Sequence, residues 1–145
     1  MYLKLISLLG YLLAVSGAIY LVYSEQLFSE NLIVIGIQIF AGLLMIWSRV
    51  TFGLRSFYAA ADTTKGELVT KGPYHFLRHP IYASIIYFVG AALIAYPFLG
   101  VLLAFLTVFI GLFIRMILEE KFLKNEYPEY QAYSKKTKRF LPYIV

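Results

Sequence analysis

From Pro80 to Ile114 the chain runs for 35 residues without one charged side chain. A single helix of that length would reach about 50 Å at 1.5 Å per residue, too long for one crossing of a ~30 Å hydrocarbon core. Tyr96-Pro97, with Gly90 and Gly100 nearby, offers a place to turn, so the run predicts two short or tilted helices in a hairpin. Two more uncharged stretches precede it. Leu5 to Ser24 is long enough to cross once, and Asn31 to Ser48 is expected to continue as helix past Arg49 towards Phe52. The acidic connection Glu25 to Glu30 separates them.

Composition agrees with a bilayer. The 145 residues are 61% hydrophobic and 14% charged, against about 25% charged in an ordinary soluble domain. So small a soluble fold could not hide that much apolar surface; a membrane protein need not. The expected class is therefore an all-α integral membrane protein forming one domain. Its helices should lie near residues 3–24, 31–52, 80–95 and 98–117, with a loop over 53–79 and a carboxyl-terminal segment over 118–145. The opening Met1-Tyr2-Leu3-Lys4 imitates a signal peptide. However, Val15-Ser16-Gly17-Ala18, the nearest thing to a cleavage site, lacks a polar follow-on, so the first run is expected to stay as a helix. There is no cysteine, which excludes disulfides, thiolate metal sites and cysteine nucleophiles.

Orientation follows from charge. All 13 Lys and Arg fall in the amino-terminal tip, between Arg49 and Arg78, or from Arg115 onward. Four crossings put every one of them on one side, which the positive-inside rule makes the cytoplasm, with both termini there. The net charge of +5 is thus a topology signal and not a nucleic-acid footprint. Lys135-Lys136-Thr137-Lys138-Arg139 is also suited to anionic lipid head groups.

The chemistry is expected where the polar segment Ala59 to Tyr82 returns to the membrane. It carries both histidines, His75 and His79, with Gly66, Gly72, Pro73 and Pro80. A zinc pair at His75 and His79 would need both to be helical, and Pro80 disfavours that at His79. No metal site is expected. At the end of the fourth helix, Arg115 and Glu119 are four apart and share a helical face. On spacing alone an interfacial salt bridge is the favoured reading, ahead of a site.

Gly66-Glu67-Leu68-Val69-Thr70-Lys71-Gly72-Pro73-Tyr74 followed by Arg78-His79-Pro80-Ile81-Tyr82 resembles the signature of the isoprenylcysteine carboxyl methyltransferases and related phospholipid methyltransferases. The second half of that pattern follows in Arg115, Glu119-Glu120, Tyr127-Pro128-Glu129-Tyr130-Gln131-Ala132-Tyr133 and Arg139-Phe140-Leu141-Pro142. The resemblance implies S-adenosylmethionine as methyl donor, in a cytoplasm-facing pocket roofed by the carboxyl-terminal segment. Carried over by position, Glu67, Leu68, Val69, Tyr74, His79, Pro80, Tyr82 and Glu119 would hold the cofactor, and Arg115 would face the acceptor. Gly66 stands where prenylcysteine-methylating members have histidine, and a cofactor-contacting glutamine of that branch is replaced near Ala59. These departures count against prenylcysteine itself.

Methyl transfer from a sulfonium is an in-line displacement, so the protein's task is to align one reactant from water with one from lipid. A carboxylate acceptor needs no base and would be oriented by Arg115, which cannot serve as a base for an amine. The expected activity is methyl transfer to a lipophilic acceptor, with a carboxylate favoured. An amine of a phospholipid, an NADPH-dependent membrane reductase of the steroid-reductase kind and a non-catalytic scaffold remain as alternatives. An interfacial carboxyl-terminal helix is expected around Glu119–Tyr133, open to a break at Tyr127-Pro128. Oligomeric state is left open.

Overall fold

The computed structural model describes residues 2–53 and 67–141. Gly66, the Ala59 position and Pro142 lie outside them. Helices α1 (Tyr2–Tyr23), α2 (Leu32–Phe52), α3 (Pro80–Gly90), α4 (Ala92–Ala95), α5 (Leu99–Glu126) and α6 (Tyr130–Lys136) make up the fold, with a 3₁₀ turn at Gly72–His75. The protein is an all-α membrane protein: α1, α2 and α5 are each long and apolar enough to cross a bilayer, with mean hydropathies of 2.2, 1.9 and 2.6. Pro80–Ala95 is a shorter apolar helical stretch, interrupted after Gly90.

Local chemistry sets the boundaries. α1 ends in a Schellman-type turn, in which Gln26 N–H bonds the Leu21 carbonyl (3.0 Å) while Glu25 takes a left-handed conformation (φ 57°). Asn31 caps α2 by accepting from the Ile33 amide (2.9 Å). Pro80 occupies the first turn of α3, where its missing N–H costs nothing. The turn between α4 and α5 falls at Tyr96-Pro97, where the proline stops the helix. No comparable breaker follows Ile114, so α5 runs on through Glu119 and Glu120 to Glu126. The stretch Glu119–Tyr133 is consequently divided at Tyr127-Pro128 between the end of α5 and the start of α6.

Two helix pairs form the bundle. α1 packs along α5 and α2 along α3, and the pairs meet where α3 touches α5. The α1–α5 contact is backbone to backbone: a Cβ on Gly10 would lie 2.8 Å from the Gly111 carbonyl oxygen, and one on Gly17 would lie 2.6 Å from that of Ala104. Without a hydrophobic gradient between helices in lipid, such close approach by small residues supplies the contact energy. Ala14, Leu21, Val101, Ala104, Val108, Leu112 and Met116 extend this seam into the core.

Candidate functional site

The helix ends that carry charge converge. Pro80 begins α3 beside the place where α5 passes from apolar to polar sequence, so His79 and Tyr82 come to face Arg115, Glu119 and Glu120. Tyr82 donates its hydroxyl hydrogen to Glu119 Oε1 and accepts from Arg115 Nε (3.2 Å). Arg115 Nη2 lies 3.7 Å from Glu119 Oε1, the contact that their four-residue spacing predicts. The arginine is only 4% exposed. Its guanidinium carbon also stands 5.9 Å from the centre of the Tyr82 ring and 5.4 Å from that of Tyr11 on α1. So buried a cation persists only when carboxylate, hydroxyl and ring faces replace its water.

His79 is buried and stacks parallel to Tyr82 (9° between ring planes). Its two ring nitrogens look at different carboxylates: Nδ1 is 3.7 Å from Glu119 Oε2 and Nε2 is 3.4 Å from Glu120 Oε1. The second contact lacks hydrogen-bond geometry, which leaves Nε2 buried without a bonded partner.

Glu120 is the hub of a second network. Arg139 reaches it bidentately (Nη2–Oε2 3.0 Å, Nε–Oε1 3.2 Å) and Arg78 through Nε (3.1 Å). Arg78 Nη1 donates to the carbonyls of Ser134 (2.5 Å) and Thr137 (2.7 Å) at the end of α6. The strap 137–141 is thereby tied across the start of α3. Lys138 bridges Leu77 in parallel, Arg78 N–H bonds the Lys138 carbonyl (2.6 Å), and Tyr87 donates to the Phe140 carbonyl while the Phe140 ring packs on Phe109. Hydrogen bonding to Glu120 raises the Arg139 pKa still further above its ordinary range.

Tyr74 is buried in the 3₁₀ turn against Phe52, and its carbonyl accepts from the Tyr133 hydroxyl (2.6 Å). Gly72 takes a left-handed conformation (φ 57°) at a point where a Cβ would meet Thr51 Oγ1 at 2.8 Å, so only glycine fits there. Burial pushes the Tyr133 hydroxyl up to about 12 and raises those of Tyr74 and Tyr130 as well.

Of the residues singled out from the sequence, Arg115, Glu119, Tyr82, His79 and Pro80 meet at one point, and Tyr74 sits between Phe52 of α2 and Tyr133 of α6. Glu67 is exposed and Leu68 and Val69 are half-buried, and no hydrogen bond or ion pair joins them to this network among the described residues. Sequence reasoning missed Glu120, Arg78 and Arg139 as a clamp, although all three stand inside its motifs. A second carboxylate beside Glu119, with an arginine in each flanking motif, was the available signal. Nothing in the sequence pointed to Tyr11.

A family model described as phospholipid methyltransferase matches residues 31–130. The chain belongs to that family. The match spans α2 to the start of α6 and includes every candidate residue from Glu67 to Glu120, but not α1 or the strap. It makes the protein a membrane methyltransferase with lipid as its class of substrate. Neither the curated proteins nor the solved structures gave a match.

Proposed function

We propose that the protein transfers a methyl group from S-adenosylmethionine to a lipophilic acceptor, with a carboxylate as the receiving group. The observation that carries this reading is the one-turn step from Arg115, buried at the apolar end, to Glu119, whose side chain is 25% exposed. One group suits an acceptor arriving from lipid and the other a soluble cofactor.

The residues present fit S-adenosylmethionine. Glu119 supplies a carboxylate for its amino group, Tyr82 and His79 offer stacked rings for the adenine, and the orphaned His79 Nε2 marks an unmet polar valence beside them. When bound, the cofactor supplies an electrophilic methyl on a sulfonium. Arg115 then orients the acceptor through charge-assisted hydrogen bonds, and Tyr82 fixes Arg115 by bonding both it and Glu119. Glu67, Leu68 and Val69 belong to this reading as a further edge of the cofactor pocket.

A phospholipid amine is the second reading, favoured by the contiguous Tyr82, Glu119 and His79, which offer a carboxylate and an imidazole as proton acceptors. In both, the charged end of the bundle and both termini face the cytoplasm. The chain has no cysteine, so a single cysteine placed at the amino terminus reports orientation directly. Labelling of sealed cells by an impermeant maleimide would overturn that topology.

Calorimetry of S-adenosylhomocysteine with the detergent-purified protein tests the cofactor. Micromolar binding, weakened at least about tenfold in Glu119→Ala, is the expected result for loss of a charge-assisted contact; absence of binding to folded protein refutes it. Transfer of radiolabelled methyl into lipid then separates the acceptors. Alkali releases labelled methanol from an ester and leaves a methylated amine intact.

A further inference from the structure

We infer that α1 is part of the acceptor site, and that its Tyr11 is a positioning residue holding Arg115 for the anionic group of a lipid acceptor. The inference rests on the methyltransferase reading above and extends it to a helix outside the family match, which begins at residue 31.

Three observations converge. The Tyr11 ring lies 5.4 Å from the guanidinium carbon of Arg115, closer than the Tyr82 ring at 5.9 Å. Rings from two different helices thus bear on one cation. Arg115 is 4% exposed while Tyr11 is 42% exposed on an apolar crossing helix, so Tyr11 is the boundary between the buried cation and the lipid outside. The third observation is the contact that fixes this arrangement. Gly10, next to Tyr11, touches Gly111, one turn before Arg115, so closely that a Cβ on Gly10 would meet the Gly111 carbonyl at 2.8 Å and Arg115 Cγ at 3.3 Å. The two helices are therefore in backbone contact where the ring is set against the guanidinium.

The chemistry follows from the setting. A guanidinium at an apolar boundary has few water molecules to hold its orientation, and a long side chain samples several rotamers. An aromatic face contributes attraction without neutralising the charge, unlike a further carboxylate. Arg115 keeps its cationic character for a carboxylate or a phosphate, the anionic groups that a membrane lipid brings to this depth. Glu119 alone would orient the arginine but would also compete with that anion. Tyr11 orients it without competing.

The test compares Tyr11→Leu, Tyr11→Phe and Gly17→Ala in detergent-purified full-length protein. Gly17→Ala loosens the same α1–α5 seam, where its Cβ would meet Ala104 O at 2.6 Å, but touches no site residue. Methyl transfer is measured with S-adenosylmethionine into palmitate, a bare carboxylate, and into phosphatidylethanolamine, a phosphate-bearing amine, each in mixed micelles. S-adenosylhomocysteine affinity is measured alongside. Tyr11→Leu should raise the acceptor KM roughly fivefold to tenfold, the span expected for a partly desolvated cation–π contact, with cofactor affinity unchanged. Tyr11→Phe keeps the ring and should stay within about twofold of the parent. Gly17→Ala should lower thermal stability and leave the acceptor KM in place. An unaltered KM in Tyr11→Leu, or equal shifts in Tyr11→Leu and Gly17→Ala, overturns the assignment by reducing Tyr11 to packing. A parent protein that binds S-adenosylhomocysteine yet methylates neither probe overturns the anionic-acceptor assignment alone. One that does not bind it defeats the underlying reading.

Discussion

At one end of the bundle, Gln38 donates to the Leu27 carbonyl (2.8 Å) and the Phe88 carbonyl (3.4 Å), and Tyr96 donates to the Phe28 carbonyl (2.8 Å). At the other, Arg78, Arg115, Arg139, Glu119 and Glu120 interlock around His79 and Tyr82. Both ends satisfy polar groups next to an apolar interior. The first does so with neutral donors on backbone carbonyls, an arrangement that closes a loop and leaves nothing to react. The second uses whole charges paired largely with other charged or polar side chains, and one carboxylate, Glu119, keeps part of its surface open. A purely structural solution was available to this chain and was used at the far end. Concentrating ionised groups at the near end is costlier in desolvation and points to a ligand that needs them.

That contrast can be broken by substitution. The largest effect is expected for Glu120→Ala, which leaves Arg78 without its carboxylate and unties Arg139 of the strap from α5. Breaking a buried pair in this way typically costs about 3–5 kcal/mol, and exposure of the Arg139 side chain brings the expectation to about 2–4 kcal/mol. Thermal unfolding in detergent measures it, and a loss under about 1 kcal/mol would show that the strap is held by its backbone bonds and by Phe140 and Tyr87, without the Glu120 clamp. At the closed end, Gln38→Leu removes two hydrogen bonds but fills the same space with apolar atoms. About 1 kcal/mol of stability should go, with S-adenosylhomocysteine binding unaffected. A change in that binding would mean that the two ends are coupled, and the contrast drawn between them would fail.

Much of this architecture was legible in the sequence, because its strongest signals are local. Uncharged runs locate the apolar helices, and Pro97 locates the turn before α5 without knowledge of any partner. The exit of α5 was harder. Hydropathy falls after Ile114, but backbone hydrogen bonding is indifferent to hydropathy, and the helix continues until Tyr127-Pro128 ends it. Within the site, Arg115 and Glu119 were readable from their spacing on one helix. The Glu120 clamp draws on residues 42 and 19 positions away, and the Tyr11 contact depends on how deeply α1 seats against Gly111. Those distances are set by packing, which no local pattern encodes.

The apolar stretch from Pro80 to Ala95 has 16 residues, which span about 24 Å as helix, roughly 6 Å short of the usual hydrocarbon thickness. A bilayer meets such a shortfall by thinning around the protein, at a cost of a fraction of a kcal/mol per Å. His79 and Tyr82 stand at the start of this short element, so in the proposed four-crossing topology the membrane would be drawn in beside them. A head group that elsewhere floats above the acyl chains would be carried down towards Arg115, with water following it. Hydrophobic mismatch would thereby shorten the journey of both reactants of the proposed transfer.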